Sequence, residues 1–300
     1  MRNGNDVPLW RQILRGLSQC AFQANEITGV LFVIAVAVFN WQMAICYVAS
    51  VILGTLVARL LKGHGDLLDL GLYGFNSGLM GLALCNFFHP SPALWLSVVV
   101  LAMATAAVAI VMSKWLPFPF LASPFILLFW LMWPFADQLG LVKVDIGAFP
   151  VVPVAWGTGI FLSALASALF ASGLASGSIF LAGLAISNWR HAVVAVVGAI
   201  VADALAEQAG VPGGPINAGL VGFNGVLGAL AAYAIVAADL RLAVLGSVLA
   251  TWFLSYVAHN AHVPFLASGF VLAIWFILFL GWLNSRFIAK PAASTPSLTD

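Results

Sequence analysis

Apolar segments follow one another along nearly the whole chain. They run over about 27–39, 43–61, 68–87, 93–112 and 117–142, then about 155–187, 192–206, 216–238, 241–257 and 263–284. A helix that crosses a bilayer needs about 20 such residues. Between the segments lie short runs of Gly, Pro and charge: "LKGHGD" from Leu61, "FHPSP" from Phe88, "VKVDIGAFP" from Val142, "AGVPGGP" from Ala209 and "AADLR" from Ala237. Such runs break helices and suit loops. Hydrophobic residues make up 63% of the chain and charged residues 7%, whereas a soluble domain carries about 25% charge to wet its surface. The expected fold class is an all-α polytopic membrane protein.

The series contains a duplication. "GLYGFNS" from Gly71 returns as "GLVGFNG" from Gly219, 148 residues later. At the same offset Phe22 meets Phe170, Gly29 meets Gly177, Phe32 meets Phe180, and Asn40-Trp41 meets Asn188-Trp189. At an offset of 145, "PFLASPF" from Pro119 meets "PFLASGF" from Pro264, and Trp130 meets Trp275. The expected organisation is an N-terminal segment over 1–13, a first repeat over 14–148, a second over 149–288 and a disordered tail over 289–300. Five spans per repeat is an odd number, so the second copy is expected to enter the membrane inverted. Inverted repeats place a binding site near the bilayer midplane. Arg2, Arg11 and Arg15 precede the first span, and Arg286 and Lys290 follow the last. By the positive-inside tendency both termini are expected to be cytoplasmic, with Arg59, Lys62 and Arg241 sharing one side. The polar first ten residues argue against a cleaved signal peptide.

Some apolar pieces are interrupted. "GLSQCAFQANEITG" from Gly16 carries Gln, Asn and Glu, and its mate is "ALASALFASGLASG" from Ala164. "WLPFPFLASPF" from Trp115 holds three prolines, and its mate is "HVPFLASGF" from His262. Non-helical backbone at membrane depth is tolerated only against protein or a wet cavity. Four re-entrant half-helices are therefore expected, their ends leaving backbone groups available to a solute.

These four stretches resemble the urea transporter family of bacteria and animals. The doubled G-L-x-G-F-N blocks carry the resemblance. So do Q-x-x-F at Gln19 to Phe22 and the two P-F-L-x-S-x-F blocks, which look like the family's L-P-x-x-T-x-P-F signature with Ser for Thr. The likeness runs from about residue 14 to 285. It implies a homotrimer in the cytoplasmic membrane with one pore per subunit, passing urea down its gradient without a coupling ion or cofactor. It also implies two slots walled by phenylalanine: Phe22 with Phe75, and Phe170 with Phe223. Leu79 and Leu227 would line the path, Cys20 and Ala168 would flank the slots, Ser123 and Ser268 would be mid-pore hydroxyls, and Gln19 would join a ladder of oxygens.

Urea is small, planar and neutral, and abandoning its hydrogen bonds with water is costly. Carbonyls at half-helix ends, extended by Gln19, Ser123 and Ser268, can take its N–H groups. Two facing rings make a flat slot without a full charge. Each residue also has a plainer role. Single Phe residues in membrane helices pack or face lipid, Ser often bonds its own backbone, and Asn76 and Asn224 suit capping or cross-linking helices. The chain departs from the family at Ser167, mate of Gln19, where the family has Gln or Glu. That leaves open another small neutral solute, such as a short amide, ammonia or water. An ion-coupled transporter is a further alternative.

The remaining chemistry is sparse. Net charge is +1, which gives no electrostatic case for nucleic acid. Cys20, Cys46 and Cys85 have no metal-ligand spacing and read as small buried hydrophobes rather than a disulfide framework. Glu26 reads as the end of the first half-helix. Asp203 and Glu207 read as a loop-facing pair at the membrane interface. His259 and His262 read as residues at a pore mouth. No carboxylate pair, metal cluster or nucleophile–base arrangement suggests an enzyme.

Overall fold

The computed structural model describes residues 7–145, 151–260 and 263–288. The expected disordered tail and His262 lie outside them. Among the described residues the chain is helical, apart from a single isolated bridge between Phe88 and Lys143. It is an all-α, multi-pass membrane protein.

In the first half, α1 (Leu9–Ser18) passes through a 3₁₀ turn (Gln19–Ala21) into α2 (Glu26–Phe39), with a bend of 66°. Then come α3 (Trp41–Leu60), α4 (Gly65–Asp69), α5 (Leu72–Phe87), α6 (Pro92–Trp115) and α7 (Ser123–Met132). The second half holds α8 (Ile160–Ser167), α9 (Leu174–Gln208), α10 (Gly213–Asn217), α11 (Gly222–Ala231), α12 (Leu240–Asn260) and α13 (Ser268–Leu283). Among the described residues five helices, the kinked α9 included, have the length and apolarity to cross a membrane, or six with the bent α1–α2 pair. The other expected spans are shorter or broken. The segment over 155–187 divides into α8 and the start of α9, because Phe170 turns left-handed between them.

Asparagine and serine set the breaks. Asn25 accepts the Thr28 N–H and heads α2; Asn40 accepts from Gln42 and Met43 and heads α3; Ser91, followed by Pro92, heads α6. Each satisfies an orphan N–H of a helix start. Asn188 repeats Asn40: its φ and ψ are −159° and 106°, against −155° and 110°. The 35-residue α9 therefore consists of two helices meeting at Asn188.

Backbone conformation follows the duplication. Most residues with positive φ come in mated pairs: Phe22 at 59° with Phe170 at 57°, Lys62 at 52° with Gly210 at 80°, Leu121 at 52° with Leu266 at 50°, and Gly71 at 80° with Gly219 at 81°; Gly140, Gly159 and Gly173 have no such mate. At Gly71 a side chain would also run into the backbone of Arg15 and Gly16, and at Gly219 into that of Ser163 and Ala164. Both glycines are required twice over, by conformation and by close approach.

Three sequence expectations are corrected. Cys46 on α3 and Cys85 on α5 form a disulfide. The two helices pack together, a proximity that a separation of 39 residues conceals. Cys20 stays free and buried. Glu26 does not end the first half-helix but opens α2, where Arg15 and Arg11 approach it at 3.1 and 3.5 Å. Asp203 does not face a loop with Glu207. It is fully buried against Gly222, and both its oxygens lack a partner. The exposed Glu207 instead accepts from the Trp156 indole at 2.8 Å.

Candidate functional site: a constriction between mated half-helices

The two halves exchange contacts reciprocally. The Trp130 indole donates to the Pro264 carbonyl at 2.7 Å, and the Trp275 indole donates to the Pro119 carbonyl at 2.9 Å. Phe22 meets Phe270 edge-on at 6.1 Å, and its mate Phe170 meets Phe125 edge-on at 6.3 Å. When residue a of one half touches b of the other and their mates do the same in exchange, the halves are related by a two-fold rotation.

At the centre lies a narrow cavity of about 10 Å³, room for about one water molecule. Its walls come in mated pairs: Cys20 with Ala168, Phe22 with Phe170, Phe75 with Phe223, Leu79 with Leu227, Ala122 with Ala267, and Phe125 with Phe270. The first four pairs were expected from the sequence. The last two belong to the P-F-L-x-S-x-F blocks, whose alanine and final phenylalanine, rather than the serine, reach the cavity. The two-fold copies of that closing Phe were the available signal.

Two asparagines aim the aromatic walls. The buried Asn76 donates to the Leu121 carbonyl at 2.9 Å and accepts the Phe125 N–H at 3.3 Å. Asn224 does the same with Leu266 and Phe270, both at 3.0 Å. Each clamps the left-handed entry to a half-helix and fixes the residue that carries the ring. This is the helix cross-linking role read from the sequence.

The hydroxyls and Gln19 lie beside the constriction rather than in its lining. Ser123 donates to the Phe120 carbonyl and Ser268 to the Phe265 carbonyl, each three residues back. The Gln19 amide donates to the Leu70 carbonyl at 2.8 Å, leaving its own oxygen as an acceptor. Its mate Ser167 donates to the mated carbonyl, Ala218, at 3.1 Å. The same carbonyl is thus engaged in both halves, by a long arm in one and a short arm in the other.

On the Ser167 side the constriction adjoins a chamber of about 720 Å³. Phe170 and Phe223 are common to both spaces. The chamber wall adds Ser167, Ser172, Asn86 and Lys143, whose ammonium sits over the Trp133 ring at 4.9 Å. Among the described residues no cluster of three metal-ligating side chains occurs. His259 is exposed near the end of α12.

Comparison with known proteins agrees with this architecture. The family model described as "Urea transporter" matches residues 10–155 and 158–299. Urea transporter 1 of Mus musculus is 33% identical over 120 residues, covering 38% of this chain and 31% of that protein. The Rattus norvegicus protein of the same name is 25% identical over 303 residues, 93% of this chain and 79% of its own length. The Ovis aries protein is 30% identical over 219 residues, 58% of this chain and 56% of its own length. The aligned stretch thus spans less than two thirds of the mouse and sheep proteins. With nearly its whole length matched by the family model, this chain belongs to the urea transporter family.

Proposed function

We propose that the chain is a passive, channel-like path for urea across the cytoplasmic membrane. The observation that carries this reading is the central constriction: six mated pairs of small, aliphatic and aromatic side chains meeting across a two-fold axis. A neutral, planar solute loses less on entering such a space than an ion does, because the ion gives up its hydration without a counter-charge. The phenylalanine rings wall the slots. The oxygens of Gln19 and Ser167 and the carbonyls of Leu70 and Ala218 serve as rungs at the two entrances. The positive-φ turns at Leu121 and Leu266, fixed by Asn76 and Asn224, hold the half-helices that meet at the midplane.

On this reading the two-fold axis lies in the membrane plane, the second repeat is inverted, and both termini are cytoplasmic. The protein works as a homotrimer with one path per subunit. Purified protein in liposomes, challenged with a urea gradient in stopped-flow light scattering, should equilibrate faster than empty vesicles. The rate should not respond to sodium or proton gradients. Equilibration no faster than in empty vesicles would overturn the reading. Cross-linked mass of three chains in detergent supports the trimer, and a monomer or dimer contradicts it.

One observation favours a broader substrate range at one entrance. Ser167 replaces the longer arm of Gln19 and opens onto the 720 Å³ chamber. That entrance should discriminate less sharply between urea and its N-alkyl derivatives.

A further inference from the structure

We infer that His191 is a positioning residue for the Phe22 turn and makes that turn sensitive to protonation. The inference rests on reading the central constriction as a solute path.

The chain reverses to left-handed backbone at Phe22, and the next residue, Gln23, is buried. One atom of Gln23 makes two contacts. Its Nε2 donates to the Ala21 carbonyl at 2.7 Å and lies 2.7 Å from Nδ1 of His191 on α9. The Ala21 carbonyl only accepts, so the atom beside it must be the amide nitrogen. Nδ1 of His191 therefore has to be the bare, accepting nitrogen, and the ring proton sits on Nε2. The imidazole of the second repeat thus fixes the amide that ties down the Ala21–Phe22 peptide of the first.

No orientation of the amide suits a protonated His191. With Nε2 in place, two donors face each other. With the amide turned over, its oxygen meets the Nδ1–H but opposes the Ala21 carbonyl. Protonation therefore costs the turn a hydrogen bond on either choice. The arrangement is not a residue of the duplication, because the mate of Gln23 is Ala171 and the mate of His191 is Met43. Only the Phe22 entrance carries it.

His191 is half-buried, within reach of protons from water. The Tyr233 ring stands edge-on to it at 5.7 Å. The other titratable or charged groups on this end of the elements packed against α9 are Glu26 on α2 and Asp239 and Arg241 at the start of α12. Glu26 is held by Arg11 and Arg15, and the Asp239 carboxylate accepts the Arg241 backbone N–H at 2.7 Å. On α9 itself, the neighbouring Arg190 lies over the Trp189 ring, while Asp203 and Glu207 stand three or more turns away towards its other end.

The test uses the full chain in liposomes, with urea as probe, between about pH 8 and about pH 5, the range in which histidine changes charge. Wild-type urea permeability should fall by about threefold or more along a one-proton curve, the loss of one hydrogen bond setting the scale. His191→Asn keeps an accepting atom near the Nδ1 position and does not titrate. It should match wild type at about pH 8 and stay flat on acidification. A flat wild-type profile, or an equal fall in His191→Asn, would overturn the inference. A second readout does not depend on transport. In ¹⁵N-histidine NMR of the reconstituted protein, the signal missing from His191→Asn should show Nδ1 unprotonated in the neutral ring, whereas a protonated Nδ1 overturns the link. Absence of urea flux at every pH would count against the transport reading, and the NMR result would still decide the histidine contact.

Discussion

The rings of Phe32 and Phe180 lie face to face, their centroids 4.3 Å apart and their planes within 2°. The two residues are mates at the 148-residue offset, so each stacks on its own copy. A pair on the two-fold axis does that. Both are fully buried, one on α2 and one on α9, where those helices pack. The axis inferred from the reciprocal tryptophan and phenylalanine contacts therefore has a physical anchor.

That anchor should be symmetric in energy as well as in space. Phe32→Ala and Phe180→Ala are each expected to lower stability by about 3–5 kcal/mol, the usual cost of truncating a buried phenylalanine. The double variant should cost less than their sum, by about 0.5–1.5 kcal/mol for the stacked pair. Denaturant titrations in detergent measure all three, and strictly additive losses would contradict a direct contact.

The asparagine clamps give a second matched pair. Asn76→Leu would leave the Leu121 carbonyl and the Phe125 N–H unpaired in a buried site, at about 1–3 kcal/mol for each group. Asn224→Leu should do the same to Leu266 and Phe270. Because Phe125 and Phe270 line the constriction, both variants should also change urea permeability in liposomes. A destabilised variant with wild-type flux per folded protein would separate the clamp from the path.

These pairs also show what could be read from the sequence. The doubled G-L-x-G-F-N blocks marked Phe75, Leu79 and their mates, because a two-fold site repeats its walls. The asparagine cross-links were legible for the same reason. In the proline-rich blocks the serines drew attention, yet their hydroxyls turn back to Phe120 and Phe265 and the closing phenylalanines face the cavity. Which side of a short, bent segment faces inward depends on the left-handed residue before it, and Leu121 and Leu266 carry no such label. The Cys46–Cys85 bond was hidden because it depends on the register of α3 against α5. Asp203 was misplaced because the break it seemed to adjoin lies beyond the end of α9, more than a turn further on.

Ser167 and Gln19 test the two entrances. Ser167→Gln restores the long arm and should raise the preference for urea over N-methylurea by about threefold to tenfold, the effect of one added hydrogen bond. Gln19→Ser should lower it at the other entrance. Paired osmotic assays with the two solutes give the ratio. If neither substitution moves it, these side chains do not contact the solute.

Phe75→Ala removes a wall from the slot without touching the clamps. The constriction holds about 10 Å³, and deleting a ring should admit longer amides while weakening the exclusion of bulk. Acetamide and N-methylurea should then equilibrate faster relative to urea. An unchanged ratio would place Phe75 outside the limiting passage.

Asp203 predicts a gain in stability. Its mate in the first half is Thr55, which bonds the Val51 carbonyl one turn back at 2.8 Å and packs against Gly74. Asp203 occupies the same place against Gly222, the mate of Gly74, but both its oxygens are buried without a partner. An unpaired buried polar group costs about 1–3 kcal/mol, and more when it is charged. Asp203→Thr would supply a hydroxyl able to reach the Ala199 carbonyl, in the position that Val51 holds for Thr55. The variant should therefore be more stable by about 1–3 kcal/mol, read as a higher midpoint in denaturant with an unchanged slope. Urea flux at neutral pH should not fall, because Asp203 lies behind Gly222 and not in the lining. A lower midpoint would mean that the carboxylate holds a partner essential to the fold, and a loss of flux at full stability would assign it a place in transport.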